Sequence, residues 1–583
     1  MDRRALLLFH LALGTACGDA ASDAASDAST GPTVTGDATD SPTSDASTHA
    51  ATTTDAPTSD ASTGPSCPAN APPAAPEVEA PLAGRIDVVP ASLTIAGSPF
   101  VDPDAGDLPG GVEAEIWRVK DDVVDERVWH AALDGAAQPT LSLADGEFDD
   151  PDDTTLADWK DHVVRLRYRD DHGPCSAWSP WSADLGFRTD DGSSVLFADD
   201  TILDFHLEIP PDSWTKINAE ANPPGCVPFT RSYHSGTLRF ADQTFPGVGI
   251  KIKGGCGSSR DLSGKASFKV NLEWDDPKVV GCPGERRLLG ETHFTFNNGV
   301  QDKSAANERL GYPLYRELGL PAPRAASVRL FVNDQLWGLY THVETIDRRF
   351  LARWFPDNKG MLYEGTYWCD LIPANVPPTD DDDSYCITRE FSPGPCSPPD
   401  PEGDPEDYAL IRGFVDAVEA LPPGGFYPAI TELLDYDRFL TGWALESVID
   451  HWDNYAFTIK NNYRLYHDPH TGLWTLIATG IDQTFEKDQD PWGAEGILAA
   501  RCLQEPACEA AFAARLDEVN EILAASELPA RASALFDQLS PAVMEDPRKE
   551  YGFQTFVDEH AKIQAFITQR PDQIRDKLAT HGF

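Results

Sequence analysis

Between His451 and Phe485 the chain reads HWDNYAFTIKNNYRLYHDPHTGLWTLIATGIDQTF, one Asp and two Asn upstream of a second Asp, with apolar, strand-like runs between them. Metal-assisted phosphoryl transfer needs these residue types: a carboxylate to orient a hydroxyl and take its proton, and further oxygen ligands to hold Mg²⁺ against phosphates. Asp453 is the candidate for the first role, Asn462 and Asp482 for the second. Asp and Asn also cap helices and make turns, and Asp468 to Gly472 is a hairpin turn of that kind. What surrounds these residues has to decide between the two readings.

A chain of 583 residues, 41% hydrophobic and with 14 Trp, has room for two or three domains with cores of their own. Its net charge of −49 excludes nucleic acid as a partner, because no basic stripe offsets that field over a phosphate backbone. The amino terminus predicts export. Arg3 and Arg4 precede ALLLFHLALGTA, which is too short to span a bilayer and ends in small residues before Cys17. Gly14-Thr15-Ala16-Cys17 resembles a bacterial lipobox, with Leu13 one place further out than the usual pattern. Residues 1–17 are therefore expected to be a lipoprotein signal, with Cys17 the lipidated residue that anchors the chain to a membrane of the cell envelope. Ten cysteines remain after Cys17, an even number that predicts disulfides in an exported chain. Cys226, Cys256 and Cys282 lie in one region, Cys369, Cys386 and Cys396 in another, and Cys502 and Cys508 form a close pair; their connectivity stays open. Paired Cys-x-x-Cys elements are missing, so zinc is not expected.

Residues 18–75 are mostly Ala, Ser, Thr, Asp, Gly and Pro, with Ser-Asp-Ala-Ser-Thr repeated at 26, 44 and 59. Such a composition buries too little apolar area to offset ordering entropy and predicts a disordered tether. Over 76–192 the pattern turns to short alternating runs such as VEAEIWRV, HVVRLRYRD and LGFRT, the signature of a small all-β sandwich. The segment DHVVRLRYRDDHGPCSAWSPWSADLGFRT resembles fibronectin type III domains. Asp102-Pro-Asp-Ala-Gly-Asp107 is read as an acidic turn, with too few ligands placed for calcium. From Leu196 onward strand patterns (GVGIKIKG, SFKVNLEW, ASVRLFVN, GLYTHVE) mix with helical spacing (ANERLGYPLYRELG, EDYALIRGFVDAVEAL, DRFLTGWALESVIDHW), which predicts one α+β domain. Its last third reads as helical, with breaks expected at Pro529 and Pro541.

Three blocks in order over 196–580 resemble the CotH kinase family: GIKIKGGCGSSRDLSGKASFKVNLEW, NNGVQDKSAANERLGYPLYRELGLPAPRAASVRLFVNDQLWGLYTHVETIDRRFL, and the stretch from His451. The resemblance implies an atypical protein kinase-like fold that uses ATP with Mg²⁺ or Mn²⁺ and transfers phosphate to Ser or Thr of surface or coat proteins. In the first block Gly254, Gly255, Gly257, Ser258 and Ser259 suit a nest of backbone N–H groups around phosphates, but the Lys-Ser ending of a Walker loop is missing. By resemblance Lys265 contacts ATP phosphates and Glu344 pairs with it. Asp302 and Asn307 match a helix start, where capping is role enough. By the same resemblance Asp453 is the catalytic base and Asn462 a metal ligand.

Two departures stand out. Many members place the Asn five residues after the Asp, whereas the interval here is nine, so residues around Thr458 to Lys460 have to loop out and Asn461 competes with Asn462. Where many members have Trp-Asp-x-Asp, this chain has Thr479-Gly480-Ile481-Asp482, with Gly480 at the usual ligand position. If the segment is a strand, Asp482 shares the face of position 480 and can take over the metal. The expected architecture is a fibronectin-like sandwich followed by a large α+β CotH domain. Two functions stand against each other: a lipid-anchored kinase, and a pseudokinase serving as a surface-binding or adhesion module. Kinase chemistry requires Lys265, Asp453, Asn462 and Asp482 to face one cleft.

Overall fold

Period-two alternation organises the first folded part: β1 (Val78–Ala80), β2 (Ile95–Gly97), β3 (Pro109–Lys120), β4 (Val123–Asp134), β5 (Thr140–Leu141), β6 (Glu147–Phe148), β7 (Asp161–Asp170) and β8 (Leu185–Arg188). The computed structural model describes residues 70–583 except 83–84, 86–87, 121–122, 136–139, 221–230, 256, 275–285, 379–384 and 390–406. The expected signal, Cys17, most of the tether and Cys226, Cys256, Cys282 and Cys396 lie outside the described residues. Strands β6-β4-β3-β7-β8 form a five-stranded antiparallel sheet and β1-β2-β5 a three-stranded one. Ile116 of β3, Leu166 and Tyr168 of β7, Ile95 of β2 and Leu141 of β5 meet in one core. The other face of β7 carries Arg165, Arg167 and Arg169, which stack on Trp117, Trp178 and Trp181 at 4.5 to 5.3 Å. Asn70 already donates to Asp170 at 2.9 Å, and the Ala74 N–H to Val101 O at 2.9 Å, so the end of the expected tether is tied to the sheet. In the acidic turn Asp102 accepts from the Asp104 N–H at 2.7 Å and Asp107 pairs with His172 at 3.1 Å.

The next elements are β9 (Leu203–Glu208), α1 (Pro211–Ala219), β10 (His234–Phe240), β11 (Gln243–Lys253), β12 (Ser267–Asn271), β13 (His293–Asn297), α2 (Asn307–Glu317), β14 (Ala325–Val332) and β15 (Gln335–Glu344). The strands close into a barrel in the order β10-β11-β12-β13-β15-β14-β9, which leaves no sheet edge to protect. Phe205, Ile250, Ile252, Phe268, Phe294 and Phe296 are among the side chains of its core. The expected Asn333-Asp334 hairpin joins β14 to β15. Both residues have left-handed φ, 50° and 62°, as a two-residue turn of primed type requires.

Then follow α3 (Arg348–Trp354), β16 (Leu362–Gly365), β17 (Ile387–Arg389), α4 (Asp407–Ala420), α5 (Phe426–Ile430), α6 (Tyr436–Val448), β18 (Tyr463–His467), β19 (Trp474–Ala478), α7 (Ile497–Cys502), α8 (Pro506–Ala524), α9 (Leu528–Glu545) and α10 (Phe553–His581). The order β17-β16-β18-β19 makes a four-stranded antiparallel sheet, packed with the helices around the largest core. Disulfides join Cys369 to Cys386 and Cys502 to Cys508. Pro529 sits in the first turn of α9, where its missing N–H costs nothing, but the break expected at Pro541 does not occur. Leu535, Leu539 and Val543 hold one buried stripe through it. No helix among the described residues is long and apolar enough to cross a membrane.

Helix α6 delivers the chain to the candidate site, and its end is fixed from far away in sequence. Arg570 of α10 is 2% exposed. Its Nε donates to Val448 O at 3.0 Å, Nη2 to Ser447 O at 2.6 Å and Nη1 to Asp488 at 2.6 Å. These carbonyls belong to the last turn of α6, which has no intrahelical donors for them. Arg570→Ala is expected to lose about 3–5 kcal/mol, the scale for removing one partner of a buried charged network. Denaturant unfolding checks this. Arg570→Lys should restore only part of the loss, since an ammonium cannot reproduce the planar fork.

Candidate functional site

The segment between α6 and β18 is irregular because backbone geometry takes it out of the helix. Asp450 (φ 53°), Lys460 (φ 47°) and Asn462 (φ 55°) are left-handed, a conformation that costs energy outside glycine and gathers at functional sites. The Asn461 N–H donates to Asn454 O at 3.2 Å and so closes the loop. Thr458 is exposed at its outside, as the long interval requires. Asp453, 8% exposed, then receives both amides: Asn461 Nδ2 lies 3.3 Å from each carboxylate oxygen, and Asn462 Nδ2 donates to Asp453 O at 2.8 Å and to Oδ2 at 3.1 Å. Asn461 and Asn462 thus act on one carboxylate together. Gln483 Nε2 adds a contact at 3.3 Å to Oδ2. Burial raises the Asp453 pKa, against the pull of His451 and the two Asn amides.

A second group comes from the barrel. Lys253 ends β11, and its Nζ donates to Asn297 Oδ1 at the end of β13; Asn297 Nδ2 donates to Glu308 Oε1 at 2.7 Å in the first turn of α2. One amide bridges a strand lysine and a helix glutamate. Burial drives both toward their neutral forms: the Lys253 pKa falls to about 8 and that of Glu308 rises to about 8, with Asp482 acting on each. Asp482 is partly buried, and its pKa rises to about 6, mainly through burial, with Lys253 lowering it and Asp453 raising it. Helix α2 is tied to the same loop, since Asn307 Nδ2 donates to Asp482 O at 2.8 Å and Thr484 O at 3.2 Å. Asp302 accepts from the Asn307 N–H at 2.9 Å, the capping role expected of it.

Two expected residues lie elsewhere, so the requirement that Lys265, Asp453, Asn462 and Asp482 face one cleft is not met. Lys265, 4% exposed, pairs with Asp546 at 2.6 Å and lies 5.1 Å over the Tyr340 ring. Glu344 pairs with Arg324 at 2.8 Å and with Arg353. The expected Lys265–Glu344 pair therefore does not form, because buried arginines and a distant aspartate claim each partner. Burial raises the Glu344 pKa, but Arg324 and Arg353 outweigh that and hold it low. The Lys253–Asn297–Glu308 bridge was missed in sequence, where its only traces are a Glu in the first turn of NERLG and a Lys ending an alternating strand, neither of which announces burial. Gly254 and Gly255 directly follow Lys253. Gly254 has φ 107°, and a Cβ there would lie 2.9 Å from Ser258 Oγ. The Gly255 N–H donates to Ser258 Oγ at 3.2 Å.

Carboxylate and amide oxygens are the donor types of a hard divalent cation. The Asn462 amide commits Nδ2 to Asp453 and turns Oδ1 toward Gly480, and the Asp453 charge opposes ionisation of Asp482. The strand-face argument for Asp482 does not hold, because β19 ends at Ala478 and the chain turns at Gly480 with φ 58°. A Cβ at 480 would lie 2.2 Å from Asn462 Oδ1, so a side chain there has to displace the Asn462 amide and take up a left-handed backbone.

Residues 250–574 match the family model described as CotH kinase protein. Inner spore coat protein H of Bacillus subtilis is 22% identical over 309 residues, 50% of this chain and 80% of that protein. Invasin CotH2 of Rhizopus delemar is 24% identical over 339 residues, 53% of this chain and 52% of the invasin. Invasin CotH3 of the same organism is 24% identical over 266 residues, 43% of this chain and 40% of the invasin.

The pKa of Asp482 gives a signed test. A carboxyl raised from 3.8 to about 6 contributes stability below about pH 4 that is lost as pH rises through 6, because the folded state resists ionising it. Asp482→Asn should therefore gain stability relative to the native protein between pH 4.5 and pH 7 in cation-free buffer, which paired melting curves measure.

Proposed function

Because the chain belongs to the CotH kinase protein family, we propose that this site transfers the terminal phosphoryl group of ATP to a Ser or Thr hydroxyl of a surface or coat protein. The observation that carries the reading is Asp453, buried and held by Asn461, Asn462 and Gln483, with Asp482 and the Lys253–Asn297–Glu308 bridge acting on the same group of charges. In this reading Asp453 orients the acceptor hydroxyl and takes its proton as the oxygen attacks phosphorus. Lys253, held by Asn297 and Glu308, contacts the phosphates in the role expected of Lys265, and Glu308 replaces Glu344. Of the glycine-rich segment, the backbone N–H groups of Gly254, Gly257 and Ser258 line the phosphates, since those of Gly255 and Ser259 are spent on Ser258 Oγ and Gly255 O. Asn462 Oδ1 and Asp482 would hold Mg²⁺ or Mn²⁺, which would neutralise charge on the phosphate oxygens. The rest is positioning and a preorganised field. An exported, Cys17-anchored chain would meet its substrates at the cell surface.

Gly480 favours the second reading, a binding module with weak or no transfer, because it removes a carboxylate from the position the family resemblance assigns to metal. The names of two relatives, which describe invasins, point the same way.

Thermal-shift titration with ATP and Mn²⁺ separates the two. Ligand at a hundred times its dissociation constant stabilises by about 2.7 kcal/mol. The native protein should show such a shift and pass labelled phosphate to a protein acceptor. Asp482→Ala and Lys253→Met should lose the shift, while Asp453→Ala should keep it and lower transfer by about 10²-fold or more. Lys265→Met should keep the shift while melting earlier. A native protein without a metal-dependent shift supports the binding module.

A further inference from the structure

The phosphotransfer reading leaves the acceptor side of the site unassigned, and one residue beside the Asp453 loop is explained neither by packing nor by its own backbone preference. Trp368 is 53% exposed, and its φ is 63°. A bulky side chain in the left-handed region is strained, and an exposed ring gains little burial to offset that strain. Glycine or asparagine would occupy such a turn more readily.

The strained turn is held from both sides. Strand β16 leads into it, and Cys369 follows it with a disulfide to Cys386. The Tyr463 hydroxyl donates to Cys369 O at 3.0 Å. The Trp368 N–H donates to Ile459 O at 2.9 Å and the Cys369 N–H to Lys460 O at 2.9 Å. Those two carbonyls immediately precede Asn461 and Asn462, whose amides hold Asp453. Trp368 is thus pinned to the longer interval in which this chain departs from the family pattern. Tyr367 lies edge-on to the Trp368 ring at 5.5 Å. Lys460 and Glu495 form an ion pair at 3.2 Å, and Thr458 donates to Glu495 at 3.0 Å. An aromatic surface bordered by polar groups is the usual composition of a contact that anchors another polypeptide.

We propose that Trp368, with Tyr367, is the acceptor-side contact that selects polypeptide segments carrying an apolar side chain near the hydroxyl presented to Asp453. This rests on the phosphotransfer reading of Asp453. A half-exposed ring suits an extended chain passing over it better than a small molecule, which needs enclosing walls. Trp368 is a specificity-determining residue in this assignment and takes no part in the bond changes.

The test uses the native protein with ATP, Mn²⁺ and dephosphorylated casein as acceptor, alongside Trp368→Gly and Trp368→Phe. Glycine accepts the left-handed turn, so Trp368→Gly should melt at or above the native temperature and keep the ATP–Mn²⁺ shift. Its KM for casein should rise by about tenfold or more, the scale for truncating an aromatic anchor. Trp368→Phe should bring KM back to within about threefold. A casein KM in Trp368→Gly within about twofold of native, or no recovery with phenylalanine, overturns the assignment alone. A native protein that binds ATP and Mn²⁺ yet labels neither casein nor itself overturns the phosphotransfer reading and this assignment with it.

Discussion

A buried guanidinium sets the frame on which the candidate site depends. A helix that ends inside a protein leaves carbonyls without donors, and α6 ends inside, one turn before Asp453. Arg570 answers with a planar fork that serves Ser447 O, Val448 O and Asp488 at once. Because the chain leaves α6 at an anchored end, the left-handed Asp450 can turn it sharply without the helix unwinding. The return is anchored at the same place, where the Phe485 N–H donates to Ile449 O at 2.8 Å. Asp453 and Asp482 thus hang from the two ends of one clamped loop, and the clamp comes from the last helix of the chain.

Much of the scaffold was legible before the structure. Alternation marked β11, β12, β14 and β15, and apolar spacing marked α2, α4 and α6, because both patterns follow directly from which face is buried. The Asn333-Asp334 turn was legible for a local reason, since few residues accept two successive left-handed positions. Pro541 misled because the cost of proline in a helix is local, whereas the packing stripe that outweighs it is tertiary.

The charged residues were harder to read. Lys265 stands close to a glycine-rich segment, which suggested phosphates, yet its partner Asp546 lies 281 positions away and no local pattern announces it. Nothing local singles out Lys253, which closes an alternating strand, or Glu308, an acid where any helix N-terminus favours one. Only the closure of the barrel, which brings the end of β13 between them, turns the two into a bridge. Asp453, Asn461 and Asn462 stand out in the sequence as neighbours along one loop, but as two Asn competing for one role, whereas the structure places both amides on the same carboxylate. Asp482 departs as well, its expected strand geometry replaced by a turn.

Gly480 couples two positions that the sequence keeps apart. Its would-be Cβ meets Asn462 Oδ1, and Asn462 is itself committed to Asp453, so substitutions at 480 and 462 are not independent. A carboxylate placed at 480 alone would displace the amide that holds Asp453. The two positions are therefore epistatic: a side chain at 480 is accommodated only with a remodelled turn or a smaller residue at 462.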